Sequence, residues 1–315
     1  DCLLSRGLGD VYKRQIMMNH KIDNLTDEIN ELLQNSIPNS SLNTDLEHSM
    51  RYSLEAGGKR IRPVLLLLTL EMLASDYKLG YASALGLEMV HTYSLIHDDL
   101  PAMDDDDYRR GKLTNHKVYG EWKAILAGDA LLTKAFDIIV NDDKLKDNVK
   151  IKLIKRLSSA SGHLGMVGGQ TLDMQSEGEG SAVDLNTLEH IHQAKTGALL
   201  KFAVMAAVDI AEAEPSVASL LEKFSEHLGL MFQIKDDLLD IYGDEAKLGK
   251  STGSDLENDK STYVSLLGQN GAEDKLKSHT ESAYACLARL PEQYDTSNLK
   301  SVSYTHLRAH ETRGN

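Results

Sequence analysis

Apolar residues recur at spacings of three and four along almost the whole chain, and only five prolines interrupt its 315 residues. A period near 3.6 puts such residues on one face of an α-helix, whereas half-buried strands need strict alternation, which is missing. The spacing predicts helices over about 20–36, 43–56, 60–75, 80–99, 121–140, 147–162 and 272–290. A longer pattern runs from Asp184, a candidate N-cap, to Glu214, and Pro215 opens another that continues to Gly243. Several of these segments are apolar on most faces, which implies a bundle with a buried centre. No solenoid repeat, low-complexity tract or Pro/Gly/Ser-rich linker divides the chain. The expectation is a single all-α domain.

The two ends read differently. Ser5–Gln15 (SRGLGDVYKRQ) and Val302–Glu311 (VSYTHLRAHE) back-translate to strings that are reverse complements apart from their end bases. They resemble sequencing-library adapters translated in frame, so residues 1–15 and 301–315 are expected to be non-native tails. Residues 16–300 are then the native domain, with a last helix after QYDTSNLK cut short.

A formal charge of −14 argues against nucleic-acid and anionic-membrane partners, both of which demand a basic surface. The longest apolar run, PVLLLLTLEMLA, is broken by Glu71 and is shorter than the roughly 20 residues of a membrane span. Cys2 falls in a tail, and Cys286 alone supports no disulfide framework, so a cytoplasmic protein is expected.

Chemistry concentrates in two acidic stretches. In DDLLD, Asp236 and Asp240 are one helical turn apart and can share a cation with Asp237 beside them. IHDDLPAMDDDDYRRG packs six aspartates and two arginines into sixteen residues after an apolar run. Asp98 and Asp99 end a helical pattern, and a bulge at LPAM is needed to return Asp104 to their face. Like charges at the ends of buried helices need partners or metal, and hard oxygen ligands suit Mg²⁺. Cations accompany them: Lys59, Arg60 and Arg62 after a glycine pair, then Arg109, Arg110, Lys195, Lys250 and Lys260. Acids for a metal together with bases for phosphate oxygens describe a diphosphate-handling site at the mouth of a cavity.

The succession GGKRIRP, HTYSLIHDDLPAMDDDDYRRG, AILAGDALL, GGQTLDM, AKTGALL, FQIKDDLLDIYGD, LGK and DKSTY resembles the trans-isoprenyl diphosphate synthases, or polyprenyl synthetase family. It is most similar to their bacterial farnesyl diphosphate synthase type, and the likeness covers residues 20–300 in order. The resemblance implies a bundle of ten or more helices around a deep central cavity. It also implies a homodimeric prenyltransferase joining isopentenyl diphosphate to dimethylallyl or geranyl diphosphate. Geranyl or geranylgeranyl diphosphate synthesis is the alternative within the family.

Carried over by motif, Asp98, Asp99, Asp104 and Asp236, Asp237, Asp240 hold three Mg²⁺, with Mn²⁺ as a substitute. Arg109, Lys195, Lys250 and Lys260 match positions that touch the allylic diphosphate, and Thr196 and Gln233 match polar groups near the reacting carbons. Gly58, Lys59, Arg62, His91 and Arg110 match the isopentenyl diphosphate pocket. Tyr93 and Ser94, one turn before Asp98, match the cavity floor that sets chain length. His97 reads as a structural hydrogen-bonder, and Asp105–Asp107 as either partners that orient the arginines or a solvated turn. An HD-type metal phosphohydrolase built on His97–Asp98 leaves the second aspartate motif and GGKRIRP unexplained.

Overall fold

A computed structural model describes residues 2–40, 42, 44–73, 76–176, 183–242 and 261–308, with side-chain surroundings from Ile16 to Ser303, Tyr242 excepted. The chain is helical almost throughout. Cys2–Asn35 (α1), Thr44–Leu54 (α2) and Ile61–Leu73 (α3) precede a 3₁₀ turn, Tyr77–Gly80, that leads into Tyr81–Asp98 (α4). Tyr108–Arg109 (β1) and Lys112–Leu113 (β2) form a small antiparallel hairpin. Asn115–Tyr119 (α5), Glu121–Val140 (α6), Asp147–Ser161 (α7), Met166–Gln175 (α8) and Leu185–His192 (α9) follow. A π-helical turn, Gln193–Gly197, joins α9 to Ala198–Ile210 (α10), and Pro215–Tyr242 (α11), Tyr263–Ala288 (α12) and Ser297–Arg308 (α13) complete the order.

The buried centre predicted from apolar composition is α10, where Leu199, Leu200, Ile210 and every residue from Phe202 to Val208 are buried. A helix apolar on all sides needs neighbours on all sides; α3, α7 and α11 supply them. Helix α3 buries Pro63 to Leu70 without a break. Helix α4 packs along α6, and α11 along α12.

Local signals set several boundaries. Asp184 caps α9 as expected, accepting from Thr187 N at 2.8 Å. Thr262 and Ser265 form a reciprocal capping box that starts α12. Two features depart from the periodicity. The single pattern over 184–214 is divided by the π-turn, and the hairpin at 108–113 is too short to show alternation. That hairpin turns through Arg110 (φ 55°) and Gly111 (φ 76°), two left-handed residues that match the twist of its strands. No helix among the described residues is long and apolar enough to cross a membrane.

Candidate active site

Helix α4 delivers the first acidic group. Its last residue is Asp98, and the chain then folds back so that Asp104 N–H donates to the Asp98 carbonyl at 2.9 Å. Within the ring, Met103 N–H reaches Leu100 O at 2.8 Å and Asp105, at φ 52°, reaches the same oxygen at 3.1 Å. The bulge expected at LPAM is therefore a closed backbone turn. Burial pushes the Asp98 carboxyl up to about 6; Asp104 and Asp99 add to the shift, while Lys195 and Arg109 oppose it. Asp99 is buried and faces the other way, onto Arg109, whose Nε lies 2.8 and 3.0 Å from its two oxygens.

The hairpin supplies the arginines and accounts for the uncertain aspartates. Asp106 sits 3.6 Å from Arg109, Asp107 pairs with Lys117 at 2.6 Å, and the carbonyls of both accept from Thr114. Arg110 reaches back to Gly57 O and lies over Gly58. Gly58 has φ +123°, so the backbone requires glycine there, and a Cβ would sit 2.5 Å from the Arg110 guanidinium carbon and push that side chain aside.

Arg62 and His91 meet nearby, Nη1 to Nε2 at 3.3 Å. Burial, reinforced by Arg62, Arg110 and Arg109, holds His91 well below the usual imidazole range, so its ring is neutral. Arg62 Nε is buried with no hydrogen-bond partner among the described residues, an orphan donor suited to an anion. Burial also lowers Lys59, against the pull of Asp236. Arg60, grouped with these cations by sequence, instead turns inward. Its Nη1 pairs with Glu88 at 2.7 Å, with both side chains almost fully buried.

The third wall comes from the π-turn and α11. Lys195 Nζ contacts Asp173 of α8 at 2.5 Å, and Thr196 Oγ1 donates to Gln233 Oε1 at 3.2 Å. Gln233 Nε2 donates to Asp237 at 3.2 Å, and Asp237 accepts Tyr263 N–H at 2.8 Å. In the second motif Asp237 and Asp240 are buried and Asp236 is exposed. The charge of Asp236 reaches Lys59 and Arg62. Lys250 and Lys260 lie outside the described residues.

A cavity of about 690 Å³ lies between α3, α4 with the turn after it, α8 and the π-turn. Arg62, His91, Asp98, Lys195 and Thr196 line it together with Tyr93 and Ser94, and Met103, Met166, Met174 and Leu199 make its apolar surface. His97 also borders it, with Nε2 3.0 Å from Ile125 O, in keeping with its structural reading. Asp173 carried no role in the sequence reading, although it stands in the quoted GGQTLDM; its contact with Lys195 spans 22 residues and leaves no local signal.

Among the described residues no three acidic, histidine or cysteine side chains converge into a ready cage. Mg²⁺ needs none, since it commonly takes one or two carboxylates and completes its shell with water and substrate phosphate. Oxygen-only donors and a desolvated Asp98 carboxyl fit such an ion.

Comparison with known proteins gives the same family. The polyprenyl synthetase family model matches residues 43–296. The farnesyl diphosphate synthase of Geobacillus stearothermophilus is 54% identical over 240 residues, 76% of this chain and 80% of that one. The farnesyl diphosphate synthase of Micrococcus luteus is 49% identical over 290 residues, covering 92% and 96%. The crystal structure of an FPP/GFPP synthase from Zymomonas mobilis superposes with a TM-score of 0.83 at 32% identity, covering 93% of this chain and 99% of that one. By family model, sequence identity and helical architecture, the chain belongs to the polyprenyl synthetase family.

Proposed function

We propose that this protein joins isopentenyl diphosphate head-to-tail to dimethylallyl and then geranyl diphosphate, giving farnesyl diphosphate and releasing diphosphate. One observation carries the reading. Arg62, Asp98 and Lys195 line the same cavity as Met103, Met166, Met174 and Leu199, so it offers both the charged groups and the apolar surface that an allylic diphosphate needs. Its volume of about 690 Å³ is in the range of small-molecule sites.

In this reading Asp98, Asp99, Asp104, Asp236, Asp237 and Asp240 hold Mg²⁺, three ions per site, with Mn²⁺ as a substitute. The metal supplies positive charge that favours departure of diphosphate. Arg109, Lys195, Lys250 and Lys260 hold the allylic diphosphate and take up charge as the C–O bond breaks. Gly58, Lys59, Arg62, His91 and Arg110 hold isopentenyl diphosphate so that its double bond attacks the allylic cation. Thr196 and Gln233 turn polar atoms toward the reacting carbons. The proton lost after C–C bond formation passes to the departing diphosphate, so no dedicated side-chain base is required. The apolar lining keeps water from the cation. Tyr93, with Ser94 beside it, closes the floor near fifteen carbons; its burial and its edge-on contact with His97 support that role.

A homodimer is also proposed. Trp122, Ile125 and Leu126 form one exposed apolar face of α6, and Leu164, Val167 and Leu172 are exposed around α8. Large exposed apolar groups of this kind mark interaction surfaces. A cytoplasmic setting suits the free thiol of Cys286.

The test is incubation with Mg²⁺, isopentenyl diphosphate and allylic diphosphates of increasing length, with products resolved by carbon number. A fifteen-carbon diphosphate is expected, and chelation with EDTA should abolish it. Phosphate release without isopentenyl diphosphate would point to a phosphohydrolase, and no prenyl product with any allylic partner overturns the assignment.

A further inference from the structure

The π-turn Gln193–Gly197 is a thin wall. Lys195 and Thr196 face the candidate active-site cavity, while Gln193, Ala194 and Gly197 line a second cavity of about 760 Å³. π-Turns are rare and appear mostly as single turns within α-helices, often at functional sites. Something must hold this one in register.

Two glycines touch its backbone. A Cβ on Gly169 of α8 would collide with the Lys195 amide nitrogen, and would lie 2.7 Å from Lys195 Cα and 2.8 Å from the Ala194 carbonyl carbon. A Cβ on Gly229 of α11 would lie 2.9 Å from Gly197 Cα. Neither glycine has a left-handed φ, so the space and not the backbone angle calls for them. A mid-helix glycine costs about 1 kcal/mol relative to alanine, so each needs an offsetting contact. Gly197 itself has room for a Cβ, whose nearest neighbour would be His192 O at 3.6 Å, so the close fit is required on the Gly229 side.

Each glycine is followed one helical turn later by the polar group that fixes the adjacent side chain. Gly169 admits the backbone of Lys195, and Asp173 receives its Nζ at 2.5 Å. Gly229 admits Gly197, and Gln233 accepts from Thr196 at 3.2 Å. Residues four apart share a helix face, so α8 and α11 present the same glycine-then-polar pair from two sides.

We infer that Gly169 and Gly229 are positioning residues, a two-sided clamp that holds the π-turn so that Lys195 and Thr196 project into the cavity. The inference rests on the proposed prenyl transfer. The test compares Gly169→Ala and Gly229→Ala with Gly86→Ala, a tight glycine in the α4–α6 contact whose Cβ would lie 2.7 Å from Ala135 O. The clamp variants are expected to lose about tenfold to a hundredfold in kcat and raise the allylic KM, with the isopentenyl KM within about twofold. They should also speed amide exchange selectively at residues 193–198. Gly86→Ala should lose thermal stability without either effect. If Gly169→Ala fails to fold, Gly229→Ala, with the looser contact, decides. Wild-type kinetics and exchange in a folded Gly229→Ala, or losses matched by Gly86→Ala, overturn the clamp. If the wild type transfers no prenyl group, the functional reading falls and amide exchange alone still decides the clamp.

Discussion

Arg109 grips Asp99 along one edge of its guanidinium, with Nε 2.8 Å and Nη2 2.6 Å from the same carboxylate oxygen. The neighbouring Asp98 has no such fork among the described residues and borders the cavity. Burial raises both carboxyls, but at Asp99 the Arg109 pair opposes it, which predicts different mutational behaviour at the two positions. Ionised Asp98 is disfavoured by folding, because its carboxyl is raised to about 6 from an unfolded value of 3.8. The penalty is full above pH 6 and vanishes as pH falls below 4. Asp98→Asn should therefore gain about 2 kcal/mol at pH 7 in urea unfolding with EDTA present, while losing at least about a hundredfold in kcat. Arg109→Gln leaves Asp99 buried without its counter-ion and should lose about 3 kcal/mol.

The Arg60–Glu88 pair is buried at both ends, and Arg60 also bonds Asn30 at 2.8 Å. Glu88→Ala should cost about 3–5 kcal/mol, read as a fall in melting temperature, because it strands a buried guanidinium. Glu88 also acts on Arg62 and Arg110, so the isopentenyl KM of the surviving folded fraction should shift with it.

Tyr93→Ala removes a buried ring from the cavity wall. Chromatography of the prenyl products should then show chains longer than fifteen carbons. An unchanged product distribution would remove Tyr93 from any role in chain length.

His192 is buried and stacked on Tyr263, with ring centroids 5.6 Å apart. Burial, helped by Lys195 and opposed by Asp173, lowers it from 6.5 to about 4. Its folded form stays neutral where the unfolded form takes a proton, so stability present above pH 6.5 is lost as pH falls toward 4. Between pH 7 and pH 5 the loss is about 2 kcal/mol, and His192→Phe should show that much less acid sensitivity in urea unfolding.

The helices could be read from sequence because apolar spacing is a local property. Asp184 and Thr262 act on residues three positions away, and the LPAM bulge was implied by the spacing of its own aspartates. What escaped depends on partners distant in sequence. Nothing around Lys195 announces the π-turn, because the glycines that press on it stand 26 and 32 residues away. Arg60 looked like its neighbours Lys59 and Arg62 because Glu88 is hidden in an apolar helix. The aspartate motifs were visible as a set, yet which acid meets metal, arginine or a helix cap is decided by side-chain direction.

The ring closed between Asp104 N and Asp98 O makes the turn after α4 a fixed-length buckle. The separation of the two acids is set by main-chain atoms, so exchanging side chains at Leu100 to Met103 leaves their spacing alone, whereas adding or removing a single residue opens the ring. Length is the constraint the buckle itself imposes, and a substitution at Met103, which lines the cavity, can change the chemistry of that lining while the spacing of the acids stays fixed.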